Sequence, residues 1–178
     1  FGAETWLGYV YTDAASPAPP VSNIDFNLSK YRGFIEAADI NAASVASSYD
    51  VTSDEFDLNL GNLPIQGPNV CGSYANDFSI RFRMAKTFTA GLYTFTLGGD
   101  DGVRMFIDGN PVTFTPANSF TEHSYGLYTS NVVALSAGSH NIVIEYFERG
   151  GQARVSFAYD AATGPTLSST GDVCINST

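Results

Sequence analysis

Apolar and polar positions alternate most clearly in the middle of the chain. From Asp77 onward, Phe78, Ile80, Phe82 and Met84 are separated by Ser79, Arg81 and Arg83. That is the period of two that lays one face of a β-strand on a core. Tyr93, Phe95 and Leu97 repeat it, then Val103, Met105 and Ile107. Asp108-Gly109 marks a hairpin turn, because this pair accepts positive φ, and Pro111–Thr115 returns. Two strands flank Ala137-Gly138. Ile142–Phe147 is apolar on both faces, as a central strand of a packed sandwich is. Ala153–Asp160 supplies the last strand and Trp6–Thr12 the first. The Pro-rich run Ala15–Pro20 breaks regular structure, and Ser22–Gly72 reads as loops with one or two short elements. Short, evenly spaced strands with glycine turns and almost no helix predict an all-β, antiparallel β-sandwich. The pattern predicts a single domain over residues 1–178, with its core at about 6–160 and 161–178 as a tail or the start of a linker.

Composition agrees with an ordered fold. The 178 residues suffice for one sizeable core, and 44% are hydrophobic, 13% aromatic and only 15% charged. A net charge of −10 with no basic stripe argues against nucleic acid and anionic membrane surfaces, while it is compatible with a cation-binding module. No apolar run approaches the ~20 residues that span a bilayer. No basic segment followed by an apolar one stands at Phe1, so the chain reads as a mature domain or an excised segment. The two cysteines, Cys71 and Cys174, read as a disulfide pinning the tail or as two free thiols. Asn27-Leu28-Ser29 and Asn176-Ser177-Thr178 match the glycosylation sequon.

The chemistry concentrates in Leu97–Gly109, "LGGDDGVRMFIDG", where Asp100 and Asp101 stand side by side. They are a solvated turn, an acid–base pair or half of a cation site. Glycosidic acid–base work needs carboxylates ~5 to 9.5 Å apart across a bond, a task ill suited to neighbours. No Gly-x-Ser-x-Gly elbow or phosphate loop occurs, and His123 and His140 read as loop and turn residues, so no enzyme is expected. Adjacent strand residues point to opposite faces, so both aspartates reach one ion only if the backbone between them bends, as a cis peptide would bend it. Gly99 and Gly102 ease the steric limits on either side. Phe120, Tyr125 and Tyr128, in a loop region, either stack on a sugar face or pack the loop onto the core, and Tyr74 has the same two readings. On the residues alone, the plain turn and the cation site both stand.

"NDFSIRFR", "GLYTFTLGGDDGVRMFIDG" and "LSAGSHNIVIEYFERGGQARVSF", in this order, resemble the anthrax protective-antigen β-sandwich family, the PA14 domain. The resemblance spans Trp6–Tyr159 and is strongest after Asp77. It rests on a strand, an Asp-Asp-Gly hairpin and a Glu-Arg-Gly-Gly turn before the final strand. The family occurs in toxins, glycosidases, fungal adhesins and flocculins, and large bacterial adhesins. In its lectin branches, consecutive aspartates hold a Ca²⁺ that binds vicinal sugar hydroxyls, and a second loop completes the shell. The resemblance therefore implies Ca²⁺ as cofactor, Asp100 and Asp101 as ligands, and Gly150, Gly151 and Gln152 completing the shell. Asp100, Asp101, Gln152, Tyr125 and Tyr128 would contact the sugar. It implies glycans or cell-surface polysaccharide as partners, an extracellular or cell-surface location, and membership of a larger multidomain protein. The alternatives are a structural or protein-interaction module and an accessory domain of a larger glycosidase or toxin.

Overall fold

A computed structural model describes residues 1–12, 26–36 and 54–162. Among the described residues the strands are β1 (Gly2–Ala3), β2 (Leu7–Thr12), β3 (Tyr31–Glu36), β4 (Phe56–Gly61), β5 (Phe78–Phe88), β6 (Gly91–Asp100) and β7 (Val103–Ile107). They continue as β8 (Asn110–Pro111), β9 (Phe114–Thr115), β10 (Gly126–Ser130), β11 (Val133–Leu135), β12 (Gly138–Glu148) and β13 (Ala153–Ala161). Two sheets result. One runs β3-β2-β5-β12-β7-β8, with β1 added parallel to β5. The other runs β4-β13-β6-β10-β9, with β11 also on β6. All pairings but β1–β5 are antiparallel, so the fold is the predicted β-sandwich. Among the described residues, no helix is long and apolar enough to cross a membrane.

The alternating residues build the core. Ile80, Phe82 and Met84 face inward from β5, and Ile142, Ile144 and Tyr146 from β12. Phe95 and Leu97 of β6 and Val155 and Phe157 of β13 meet them from the other sheet. Trp6 plugs the interface edge-on to Phe56 and Phe157, at centroid distances of 5.4 and 5.2 Å, while its indole N–H donates to the Asp54 carbonyl at 2.6 Å. Buried aromatic pairs of this kind add stability beyond their area. β12 does lie centrally, between β5 and β7. The Asp108-Gly109 hairpin forms with φ of 49° and 82°.

Within the stretch read as loops with one or two short elements, β3 and β4 are two short strands, and two other readings change. β3 is hard to see because one of its inward positions is Gly33, at φ 129°, where a Cβ would sit 1.9 Å from the Asn69 carbonyl oxygen. The region of Tyr125 and Tyr128 is not wholly loop, since β10 runs through Tyr128. Its pattern is disguised by an exposed Leu127 and an inward Ser130, whose hydroxyl accepts the Phe95 N–H at 2.9 Å. Finally, Asp-Asp-Gly is not a hairpin. β6 and β7 belong to different sheets, so the turn carries the chain across the sandwich. Cys71 is exposed with no disulfide among the described residues, and Cys174 and the Asn176 sequon lie outside them.

Candidate functional site

Two crossovers meet at one end of the sandwich. Asp101–Gly102 connects β6 to β7, and Arg149–Gln152 connects β12 to β13. Because β12 pairs with β7 and β13 pairs with β6, the two turns are held side by side, with Arg154 opposite Asp100. The Phe147 N–H donates to the Gly102 carbonyl at 3.0 Å. The β9–β10 connection closes over them, its Ser119 carbonyl accepting the Val103 N–H at 2.8 Å.

The flanking glycines are required by close packing and not by positive φ. A Cβ on Gly102 would lie 2.1 Å from Cε1 of the buried Phe147, and one on Gly99 would lie 2.5 Å from the Asp101 carbonyl oxygen. The Asp100–Asp101 peptide is cis.

The two carboxylates differ in surroundings. Asp101 is 4% exposed and ties together two loops: Oδ1 accepts the His123 N–H at 3.0 Å and Oδ2 the Arg149 N–H at 2.8 Å. Asp100 is more open and takes the Tyr125 N–H. Its carbonyl accepts the Tyr146 hydroxyl at 2.5 Å. Burial raises the pKa of both carboxyls. At Asp100 the charge of Asp101 adds to it, and at Asp101 the two N–H donors oppose it. Behind the turn, Glu148 is 1% exposed. Its Oε2 lies 3.1 Å from the Tyr146 hydroxyl oxygen, whose one proton points to the Asp100 carbonyl, while Oε1 is buried with no hydrogen-bond partner. Burial and the neighbouring Asp101 push this carboxyl up to about 8.

Asp100, Asp101, Gly150, Gly151 and Gln152 together line a concavity of about 510 Å³. So do Glu122, His123 and Ser124, which sequence reasoning missed as site residues. Nothing in their local pattern marks them; they arrive because Asp101 holds the His123 N–H. Glu122 brings another negative charge, answered by Arg149 at 3.6 Å.

Tyr125 and Tyr128 do not line this concavity. Tyr128 is 8% exposed, packs in the core and meets His123 Nε2 at 2.9 Å. Tyr125 lies over Gly98, its hydroxyl 2.8 Å from Ser156 Oγ and its ring under the Arg154 guanidinium at 4.0 Å. Phe120 stands edge-on to Phe147, and Tyr74 packs against the core with its hydroxyl on the Cys71 carbonyl. His140 is far along β12, paired with Asp108 at 2.6 Å. Among the described residues, no group of three His, Cys, Asp or Glu side chains can hold a metal ion by itself.

The sequence profile of the PA14 domain matches residues 65–169. None of the curated proteins matches the chain. Among solved structures, an anti-sigma factor domain-containing protein from Clostridium clariflavum superposes with a TM-score of 0.59 at 17% identity, over 89% of this chain and 42% of that one. The PA14 domain of MpAFP antifreeze protein gives 0.50 at 20% identity, over 90% and 84%. The A domain of epithelial adhesin 6 from Candida glabrata, in complex with Galβ1-3GlcNAc, gives 0.50 at 14% identity, over 93% and 83%. The chain thus spans less than half the length of the anti-sigma factor domain-containing proteins it resembles. At these identities the likeness is one of fold.

Proposed function

Because the chain belongs to the PA14 domain family, we propose that it is a non-catalytic carbohydrate-binding module of an extracellular or cell-surface protein, in which Asp100 and Asp101 hold a Ca²⁺ that engages vicinal sugar hydroxyls. One observation carries the reading. Two adjacent carboxylates, poorly solvated and mutually repelling, open onto one concavity that also contains Glu122. A hard dication satisfies such a set, because its charge offsets the repulsion and its coordination is by oxygen.

The donor set fits calcium in kind. Two carboxylates fall short of the 6–8 oxygens Ca²⁺ takes, so carbonyls of Gly150, Gly151 and Gln152 and ligand oxygens would make up the number. Bound there, Ca²⁺ supplies open positions for two neighbouring hydroxyls. Asp100 and Asp101 would orient those hydroxyls by accepting their protons in hydrogen bonds, and the amide of Gln152, which lines the same concavity, would read a further one. The epithelial adhesin domain, of the same fold, was solved with a galactose-containing disaccharide, which supports a glycan as ligand class. Affinity per site is modest, since hydroxyls exchange water for protein partners, and such a module gains avidity by repetition.

A structural reading has its own support: both Asp101 oxygens already accept backbone N–H groups, as in a turn that merely staples loops. Calorimetric titration of the folded chain with Ca²⁺, followed by a glycan array with and without chelator, separates the two. The lectin reading expects calcium uptake, calcium-dependent glycan retention, and loss of both in Asp100→Ala. A folded chain that takes up no calcium ends that mechanism. Calcium uptake with a silent array leaves the ion a structural role.

A further inference from the structure

β11 sits at the opposite end of β6 from Asp100, with Val133 opposite Tyr93 and Leu135 opposite Gly91. Strand parity fixes where its backbone points. The Phe95 N–H donates to Ser130 Oγ on the β10 side, and the Leu92 carbonyl accepts the Ala162 N–H on the β13 side at 2.7 Å. The backbone groups of Gly91 and Tyr93 therefore face β11, and the ladder bonds of β11 are made by Val133 and Leu135. The N–H and C=O of Ala134 turn the other way. Ala134 is exposed, and among the described residues no strand pairs with that edge. The preceding strand, β10, is covered there by β9. The residues before β9 would continue its line along β11, but they cross to the other sheet. Thr113 still takes the Asn131 N–H at 3.0 Å, whereas the Val112 N–H donates to the Met105 carbonyl of β7 at 3.0 Å.

The result is a trough of about 560 Å³. Every residue from Asn131 to Ser136 lines it, as the edge of a strand does; a strand's face shows alternate residues only. The other wall is the β7–β8 hairpin with Val112 and Thr113. The walls are tied at both ends. Asn131 holds Thr113 at one end. At the other, His140 Nδ1 lies 2.6 Å from Asp108 Oδ2 and its Nε2 lies 3.1 Å from the Ser136 carbonyl oxygen. Ile107 and Leu135 are buried, and Val112 and Val133 pack against the core, so the floor is apolar. We propose that this trough docks an extended, basic peptide segment of a partner protein, which joins the second sheet as a strand beside β11.

The chemistry selects that partner. An edge N–H and C=O without a ladder partner are a template for another backbone, and main-chain bonds supply the affinity in this mode of recognition. Ala134 offers one donor and one acceptor, the set that one residue of an added antiparallel strand exchanges. The three residues of β11 span about 10 Å, so the contact is short and its affinity low. A net charge of −10, with Asp108 in the hairpin wall, repels an acidic segment or a second copy of this chain and draws a basic one. Among the described residues no Phe, Tyr or Trp lines the trough, so it lacks the ring on which a sugar face stacks. The trough shares no residue with the Asp100–Asp101 concavity.

The test is a titration of the nitrogen-15-labelled 178-residue chain, in chelator, with the peptide acetyl-KTVTVK-amide. The Ala134 amide resonance is expected to shift saturably, with a Kd of about 1 mM, and its hydrogen exchange to slow. Acetyl-ETVTVE-amide is expected to bind about fivefold more weakly or less. Ala134→Pro removes the edge donor at a position where no ladder bond depends on it, and should weaken binding by about fivefold or more. Val132→Lys, at an exposed residue of the same wall, should weaken the basic peptide by about threefold and serves if the proline variant does not fold. No shift at Ala134, or unaltered binding by the folded variants, overturns the site. The acidic peptide binding as tightly as the basic one overturns the basic partner. Dimerisation of the free chain in sedimentation, abolished by Ala134→Pro, makes a second copy the occupant and overturns the partner peptide. Calcium is absent throughout, so failure here leaves the calcium reading standing, and loss of the calcium reading leaves the Ala134 result intact.

Discussion

Replacing Asp101 by alanine removes a structural strut as well as a candidate calcium ligand, and the two losses are separable. In chelator, Asp101→Ala strips the acceptor from the N–H groups of His123 and Arg149, which lie in two different loops. Each partly buried donor left unsatisfied costs ~1–3 kcal/mol. The substitution also relieves some charge repulsion, since burial and Glu122 act against ionised Asp101. The net expected loss is therefore about 2–4 kcal/mol, near the lower part of the summed range. For a domain of this length that lowers Tm by roughly 5–15 °C. Asp100→Ala removes one backbone acceptor, for the Tyr125 N–H, together with the repulsion from Asp101, and is expected to cost under ~1 kcal/mol. Asp101→Asn keeps one acceptor oxygen but sets its amide N–H₂ against the other N–H, so it falls between the two. Urea and thermal unfolding of the three variants in chelator measure the order directly. If Asp101→Ala and Asp100→Ala unfold alike without calcium, the strut role assigned to Asp101 is wrong, whatever happens on calcium addition.

Other substitutions probe what holds the site in place. Gly102→Ala drives a Cβ to 2.1 Å from Phe147, which is fully buried and cannot retreat, so a loss of about 3 kcal/mol in urea unfolding is expected; a change under half of that shows the turn can shift. Glu145→Ala leaves the Arg81 and Arg104 guanidinium groups without their shared carboxylate, and the cost is about 3–5 kcal/mol in the same assay; a neutral outcome shows the cluster to be solvated. Stability in chelator should fall as pH rises. Glu148 holds its proton up to about 8 when folded against 4.5 as its ordinary value, so the folded state binds the extra proton between those limits. The stabilisation is complete below pH 4.5 and lost as pH climbs through 8, by a few kcal/mol at about 1.4 kcal/mol per unit. Glu148→Gln flattens that slope and raises the urea midpoint at pH 8.5, and an unchanged slope in this variant assigns the effect elsewhere.

Much of the sandwich was legible because large apolar residues mark period two where a strand buries one face, as Phe78 to Met84 do. The pattern fails where the inward residue is small or polar, as at Gly33 of β3 and Ser130 of β10. Local sequence also does not say which sheet the next strand will join, which is why Asp-Asp-Gly read as a hairpin. In the site, the aspartate pair and the Gly150–Gln152 turn stand out by residue type, and the structure brings them together. Glu122, His123 and Ser124 sit in an aperiodic loop whose position depends on a hydrogen bond to a residue some twenty positions earlier. Tyr125 and Tyr128 show the converse. Aromatic side chains flag themselves in sequence, but direction comes from strand parity for Tyr128 and, for Tyr125, from the missing side chain of the buried Gly98, whose place its hydroxyl end fills.

The asymmetry between the two aspartates bears on how such an end of a sandwich can be both rigid and receptive. Both turns that form it cross between sheets, so their separation is set by core packing and not by loop composition. Asp101 accepts one backbone N–H on each oxygen, fixing the loops that carry Glu122 and Gly150, and keeps one lone-pair site on each. Asp100, with one backbone donor and greater exposure, retains oxygen lone pairs for a ligand. Behind them, Glu148 and the Tyr146 hydroxyl form a buried polar layer that is incompletely satisfied. An end built this way carries its electrostatic cost in the folded, ligand-free state. A cation held there, as proposed, would relieve repulsion that already exists with little loop rearrangement, which is how preorganisation raises affinity in a shallow, water-exposed site.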